Sequence, residues 1–212
     1  MGITERKTRE KQEMRTKILE AAKDVFIEEG YEKASIRAIA ERIEYSPATI
    51  YLYYKDKNEL FHEVHELGFE KLTEEFRLSD SIENPFERLR ALGHTYMKFG
   101  ITNPEIYDLM FIQKAPMEAI KETDEGWDCG LTCLTYLKTT LEECIAKQYI
   151  QPTEINLLSI SIWSYMHGLT SLHIRDRFHI FKDFDIEKLL YGSVELMLGM
   201  IKQNTISRPE NQ

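Results

Sequence analysis

The chain has 212 residues, 42% of them hydrophobic and 30% charged, with three cysteines and a formal net charge of −9. It contains no run of about 18 apolar residues, so no membrane-spanning helix is expected, and Met1 to Lys17 lacks the apolar stretch of a secretory signal. An odd cysteine count argues against a disulfide framework, which leaves the cytoplasm as the expected compartment.

The acidity is unevenly spread. Residues 1–60 carry 12 Lys+Arg against 12 Asp+Glu, and residues 1–17 alone carry 6 against 3. The whole deficit therefore lies beyond residue 60, and a local basic face for a polyanion stays compatible with overall acidity.

Periodicity predicts helices almost throughout. The first spans residues 4–29, with Ile18, Ala22, Val25 and Phe26 on one face, Gly30 as its stop and Tyr31 returning to the core. The basic arm Arg6 to Lys11 precedes this stripe and is read either as a phosphate-tracking arm or as a solvated tail. Next, Ser35 is expected to cap a helix whose Ile36, Ile39, Ala40 and Ile43 share a face. A tight turn at Glu44-Tyr45 follows. Ser46-Pro47 then opens a second helix of about two turns, since Ser can cap and Pro suits the first helical position. A helix that short needs bracing by its neighbours. Ile50 and Tyr54 supply the inner face, and Ala48, Thr49, Leu52 and Tyr53 are left outward.

That outward face suits the major groove of DNA. Small residues allow close backbone approach, Ser46 and Thr49 can bond base edges or phosphates, and the Thr49 methyl can touch a thymine methyl. Tyr51 and Tyr53 offer hydroxyls to phosphates, and Lys55 and Lys57 add charge. Asp56-Lys57-Asn58-Glu59 reads as a capping box opening the next helix, whose amides form a further phosphate site. The alternative is a three-helix cluster with surface tyrosines and no DNA role.

Downstream, a helix runs from after Asp56 to about Leu78 on Leu60, Phe61, Val64, Leu67, Leu72 and Phe76. His62 and His65 lie three apart on it beside Glu63 and Glu66, a weak metal pair with no evident third ligand. Further helices are expected over 86–101, 105–113, 126–149, from Pro152 to 174, and over 186–202, with a loop over 115–124, a charged and aromatic connection over 175–185 and a disordered tail from Ser207. Cys129, Cys133 and Cys144 are read as buried hydrophobes. The fold class is all-α. No catalytic constellation, cofactor or metal site is evident.

The segment Ile18 to Phe26, with Gly30-Tyr31, Ile39-Ala40, Ser46, Ile50-Tyr51, Tyr53-Tyr54, Lys57 and Leu60-Phe61, resembles the DNA-binding domain of the TetR family of transcriptional regulators. The resemblance spans roughly residues 12–72. The family usually has Gly at the turn where this chain has Glu44, so either a positive φ there strains the backbone or the chain takes a slightly different turn. Asn103 to Phe111, with Trp163 to Gly168, resembles the C-terminal type of TetR-like regulators named for Trp, His and Gly. The resemblance implies two domains: an N-terminal three-helix helix-turn-helix domain over 12–72, and a helical ligand-binding and dimerisation domain over 73–205. It further implies a homodimer paired through the last two helices, binding a palindromic double-stranded DNA operator, most simply as a repressor whose DNA affinity a small molecule changes.

On this reading the DNA-facing set is Ser35, Arg37, Tyr45, Ser46, Pro47, Ala48, Thr49, Tyr51, Tyr53, Lys55 and Lys57. The density of aromatics and methionines downstream points to an apolar or aromatic effector. Its candidate contacts are Tyr107, Met110, Phe111, Trp127, Trp163 and His167, each with core filling as the competing role. Two other classes stay open: a helical metal-dependent protein or enzyme using His62 and His65, and a helical interaction module.

Overall fold

The computed structural model describes residues 2–113 and 128–202. These residues form helices α1 (Ile3–Lys33), α2 (Ile36–Arg42), α3 (Pro47–Ile50), α4 (Lys57–Arg77), α5 (Pro85–Thr102), α6 (Pro104–Phe111), α7 (Asp128–Ala146), α8 (Ile155–Ile174) and α9 (Ile186–Ile201), with a 3₁₀ turn at Arg177–Ile180. Among them the only β feature is an isolated antiparallel bridge between Ile150 and Lys202.

The chain divides into two compact units. One comprises Met1–Lys71 with Pro104–Gly130, the other Leu72–Asn103 with Leu131–Gln212. Among the described residues, α6 falls in the first unit, whereas the sequence reading set it within 73–205; an apolar stripe identifies a buried face but not the partner that buries it.

In the first unit, Ile18, Ala22, Val25 and Phe26 of α1 are buried with Ile36, Ile39 and Ala40 of α2, Ile50 of α3, Leu60, Phe61 and Val64 of α4, and Leu109 of α6 in one cluster. Gly30 stops α1 as expected, with φ 74 and ψ 159 inside what otherwise counts as continuous helix. The turn returns Tyr31 to the core, where its ring meets Phe61 edge-on at 4.7 Å. The second helix-turn-helix element is shorter than the two turns expected. After Ile50 the chain tightens into three-residue hydrogen bonds, Leu52 N to Thr49 O and Tyr53 N to Ile50 O, which end the α-helix while keeping its direction.

In the second unit, α5 buries Phe86, Leu89, Leu92, Tyr96, Met97 and Phe99. α8 contributes Leu158, Ile162 and Met166, and α9 contributes Leu190, Val194, Met197 and Leu198. α8 starts at Ile155 rather than Pro152, because the Glu154 carboxylate accepts from the amides of Asn156 and Leu157 and so fixes the cap there. Cys133 and Cys144 are buried, as expected, and burial pushes the Cys144 thiol up to about 12. Leu131 of α7 and Leu172 of α8 are 51% and 47% exposed. The expected loop over 115–124, the start of the helix at 126 and the tail from Ser207 lie outside the described residues, as does the side chain of Cys129.

Candidate nucleic-acid interface

The helix-turn-helix is assembled by local caps. Ser35 Oγ accepts from the Ala38 amide at 3.1 Å, and Ser46 Oγ accepts from the Thr49 amide at 3.3 Å while lying 3.1 Å from Thr49 Oγ1. Pro47 takes the first helical position of α3, where a missing N–H costs nothing. Between α2 and α3, Glu44 has φ 61. This is the left-handed conformation that the absence of Gly there made a strained choice, and it lets the Tyr45 amide reach Ala40 O at 2.9 Å.

Ile50 and Tyr54 are the inner face of this segment, at 0% and 1% exposure. The Arg15 guanidinium lies 4.9 Å from the Tyr54 ring centroid and forks onto Glu63, with Nη2 at 2.8 and 3.1 Å from its two carboxylate oxygens. This ties α1 to α4 around the residue that braces α3. Arg42 of α2 pairs with Glu28 of α1, Nη1 and Nη2 each meeting one carboxylate oxygen.

The outer face carries most of the expected residues. Ser35, Arg37, Tyr45, Ser46, Pro47, Ala48, Tyr51 and Lys55 are exposed, and Thr49 and Tyr53 are half-buried. Leu52 is 79% exposed. Arg37 pairs with Glu41 one turn on, at 2.8 Å. Lys57 differs from the rest: its ammonium donates to Tyr31 O at 2.8 Å and Ala34 O at 3.2 Å, so two of its three N–H groups bind the protein. The capping box opening α4 is also modified. Asp56 Oδ1 accepts from the Glu59 amide at 2.9 Å, but Glu59 reaches back to the Lys55 amide instead of that of Asp56.

One neighbour of this face was not singled out from sequence. The Lys17 ammonium lies 4.9 Å from the Tyr45 ring centroid, a cation–π placement that adds charge beside the turn. Only its membership in the basic residues 1–17 hinted at it.

The expected effector residues are not gathered in one unit. Tyr107, Met110 and Phe111 belong to the first, Trp163 and His167 to the second, and Trp127 lies outside the described residues. Tyr107 and Met110 are buried, and the Phe111 ring packs against Tyr107 at 4.8 Å and Phe69 at 5.3 Å. In the second unit, Trp163 Nε1 donates to Tyr96 Oη at 3.3 Å, and Tyr96 Oη lies 3.4 Å from His167 Nδ1. Tyr96 thus links the two expected residues, a link that a spacing of roughly 70 residues hides. Burial, with a smaller push from Arg175, holds the His167 pKa below the ordinary histidine value.

His65 of the open metal reading is a buried core residue with Nε2 3.1 Å from Met110 O. Among the described residues no group of three or more His, Cys, Asp or Glu side chains is arranged to hold a metal ion.

Two family models match the chain. The one described as bacterial regulatory proteins, tetR family, covers residues 18–64, and the one described as tetracyclin repressor-like, C-terminal domain, covers 89–197. The chain belongs to the TetR family. As a TetR-family protein it is a DNA-binding transcriptional regulator. It is similar to the uncharacterized HTH-type transcriptional regulator YobS of Bacillus subtilis, at 22% identity over 187 residues covering 88% of this chain and 92% of YobS. Its fold is similar to that of the fatty acid degradation regulator FadR from Bacillus halodurans, with TM-score 0.69, 20% identity and coverage of 87% and 94%. It is likewise similar to that of the TetR family regulator PfmR from Thermus thermophilus, with TM-score 0.63, 18% identity and coverage of 86% and 97%. At these identities the likeness to solved structures concerns the fold of this TetR-family chain. No helix among its described residues is long and apolar enough to cross a membrane.

Proposed function

We propose that the chain is a homodimeric, ligand-responsive repressor that acts in the cytoplasm and binds a palindromic operator through α3. The observation that carries this reading is the bracing of α3. Ser46 caps it and Ile50 and Tyr54 anchor it, leaving Ala48, Thr49 and Tyr51 directed away from the core. In the proposed complex, Thr49 and Ala48 meet base edges, while Ser35, Arg37, Tyr45, Ser46, Tyr51, Tyr53, Lys55 and the remaining donor of Lys57 meet phosphates around them.

One short helix reads about half a turn of DNA, so two copies on successive grooves supply the missing contact. The face for pairing is α8 with α9. Leu157, Ile160, Leu196 and Met200 are 60%, 47%, 63% and 66% exposed there. Among the described residues, a Cβ added at Gly168, Gly192 or Gly199 meets nothing beyond its own helix within 4 Å, so these positions admit a close helix from a second copy. The effector is an apolar or aromatic small molecule, recognised in the second unit by Trp163 and His167 through Tyr96. It shifts the population between DNA-compatible and DNA-incompatible forms.

A gel-shift titration of the purified protein on DNA upstream of its own coding region, with sedimentation analysis of the free protein, tests the reading. Specific retention with dimer stoichiometry is expected. A monomer that fails to distinguish this DNA from random duplex contradicts it.

A further inference from the structure

A small cleft opens within the first unit, between α1, α4 and α6, with a volume of about 190 Å³. Its walls are the apolar side chains of Val64, Leu67, Ile106, Leu109 and Met110. Gly68 forms part of the same wall, and its lack of a side chain sets the cleft's shape. A Cβ there would stand 2.7 Å from Met110 Sδ and 3.2 Å from Ile106 Cγ2, so glycine lets α6 lie close on α4. Polar character enters at two places, Lys23 from α1 and Lys71 from α4. Lys23 is 38% exposed at its side chain, with Asp24 at 3.8 Å, and Lys71 is exposed.

Size and chemistry together define an occupant. An apolar cavity of roughly 150 Å³ holds a benzene ring, so this cleft admits a ring or chain of six to eight carbons and excludes a nucleotide. Leu67 is 41% exposed, and an apolar body in the cleft would cover surface that now meets water. Two lysines lining an otherwise apolar cleft favour a negative headgroup on an apolar body. We propose that this cleft binds a small apolar monocarboxylate, with its body against Leu67, Ile106 and Met110 and its carboxylate held by Lys23 and Lys71. This site is distinct from the second-unit residues invoked for the effector. Leu109 belongs both to the cleft and to the core that buries Ile50, so occupancy strains or braces the same packing that holds α3.

The binding claim is tested without DNA, so failure of the repressor reading leaves its result untouched. Ligand-observed NMR titration of the full-length protein uses benzoate as probe and benzyl alcohol as its neutral analogue. Saturable benzoate binding is expected, about tenfold or more tighter than benzyl alcohol. The double substitution Lys23→Met/Lys71→Met should weaken it by a similar factor, as should Ile106→Phe, which fills the cleft. Absence of saturable binding overturns the proposal. So does benzoate affinity that survives both cleft variants.

Discussion

The Lys57 ammonium sits 4.1 Å from the centroid of the Tyr31 ring and donates to the carbonyl oxygen of the same residue at 2.8 Å. With its second bond to Ala34 O, it closes the corner where the chain leaves α1 and enters α2. Its charge complements the main-chain carbonyls at the C-terminal end of α1. Lys57→Ala is therefore expected to lower folding stability by about 1–2 kcal/mol, read as a lower urea midpoint. Operator affinity should fall by a similar factor for every operator variant, because no base contact is lost. An unchanged midpoint would show that the corner does not depend on this clamp.

Glu44 gives the opposite expectation. A left-handed residue with a side chain costs about 1–2 kcal/mol relative to one without, and glycine returns part of that through the entropy of the unfolded chain. Glu44→Gly should raise stability by roughly 0.5–1 kcal/mol and tighten operator binding by removing an anion beside the DNA-facing surface. A lower thermal midpoint would mean that the carboxylate makes a stabilising contact which outweighs the backbone strain.

Residues on the outer face of α3 should separate affinity from specificity. Tyr51→Phe removes a hydroxyl from a side chain that is 57% exposed, so it should weaken all operator variants alike. Thr49→Ala should narrow the gap between the best operator and its single-base variants by about 1 kcal/mol or more. Gel-shift titrations over a set of operator variants measure both. A uniform loss with Thr49→Ala would move that residue from the base edges to the phosphates.

Two histidines of the second unit predict acid sensitivity. Burial is the main influence holding His94 below the ordinary value, with Glu195 opposing it and Arg90 assisting; burial likewise leads at His167. Both sites favour the neutral form in the fold, and the unfolded chain takes up protons at about pH 6.5. Between that pH and the lower folded values the unfolded state binds more protons, so stability is complete above about pH 6.5 and declines as the pH falls below it. Urea midpoints at about pH 7.5 and 5.5 should differ in the natural protein, and the difference should shrink in His94→Gln/His167→Gln. An equal difference in both proteins would assign the acid sensitivity to other groups.

The parts of this design that obey local rules were legible in the sequence. Ser35 and Ser46 cap as their positions require, Pro47 occupies the first turn, and Ile50 and Tyr54 face inward because four residues return a helix to the same side. The left-handed Glu44 was legible only in part: the missing glycine marked a strained turn if φ were positive, and the sequence left a different turn open. What escaped depends on long-range packing. Lys57 binds carbonyls 26 and 23 residues earlier, Tyr96 joins Trp163 to His167 across about 70 residues, and α6 groups with α1 and α4. A stripe of apolar side chains tells which face is covered without naming the cover. The Glu154 cap displaced the start of α8 for a smaller reason: a carboxylate can replace the proline as the helix-opening signal when its reach suits the first amides.

The one-turn length of α3 has an evolutionary corollary. Within that turn only Ile50 is buried, so Ala48 and Thr49, and Tyr51 and Leu52 just after it, contribute little to holding the fold together. Duplicated copies of such a gene can exchange these side chains, and with them their target sites, almost without penalty to folding. Divergence of recognition is thereby uncoupled from the maintenance of the scaffold.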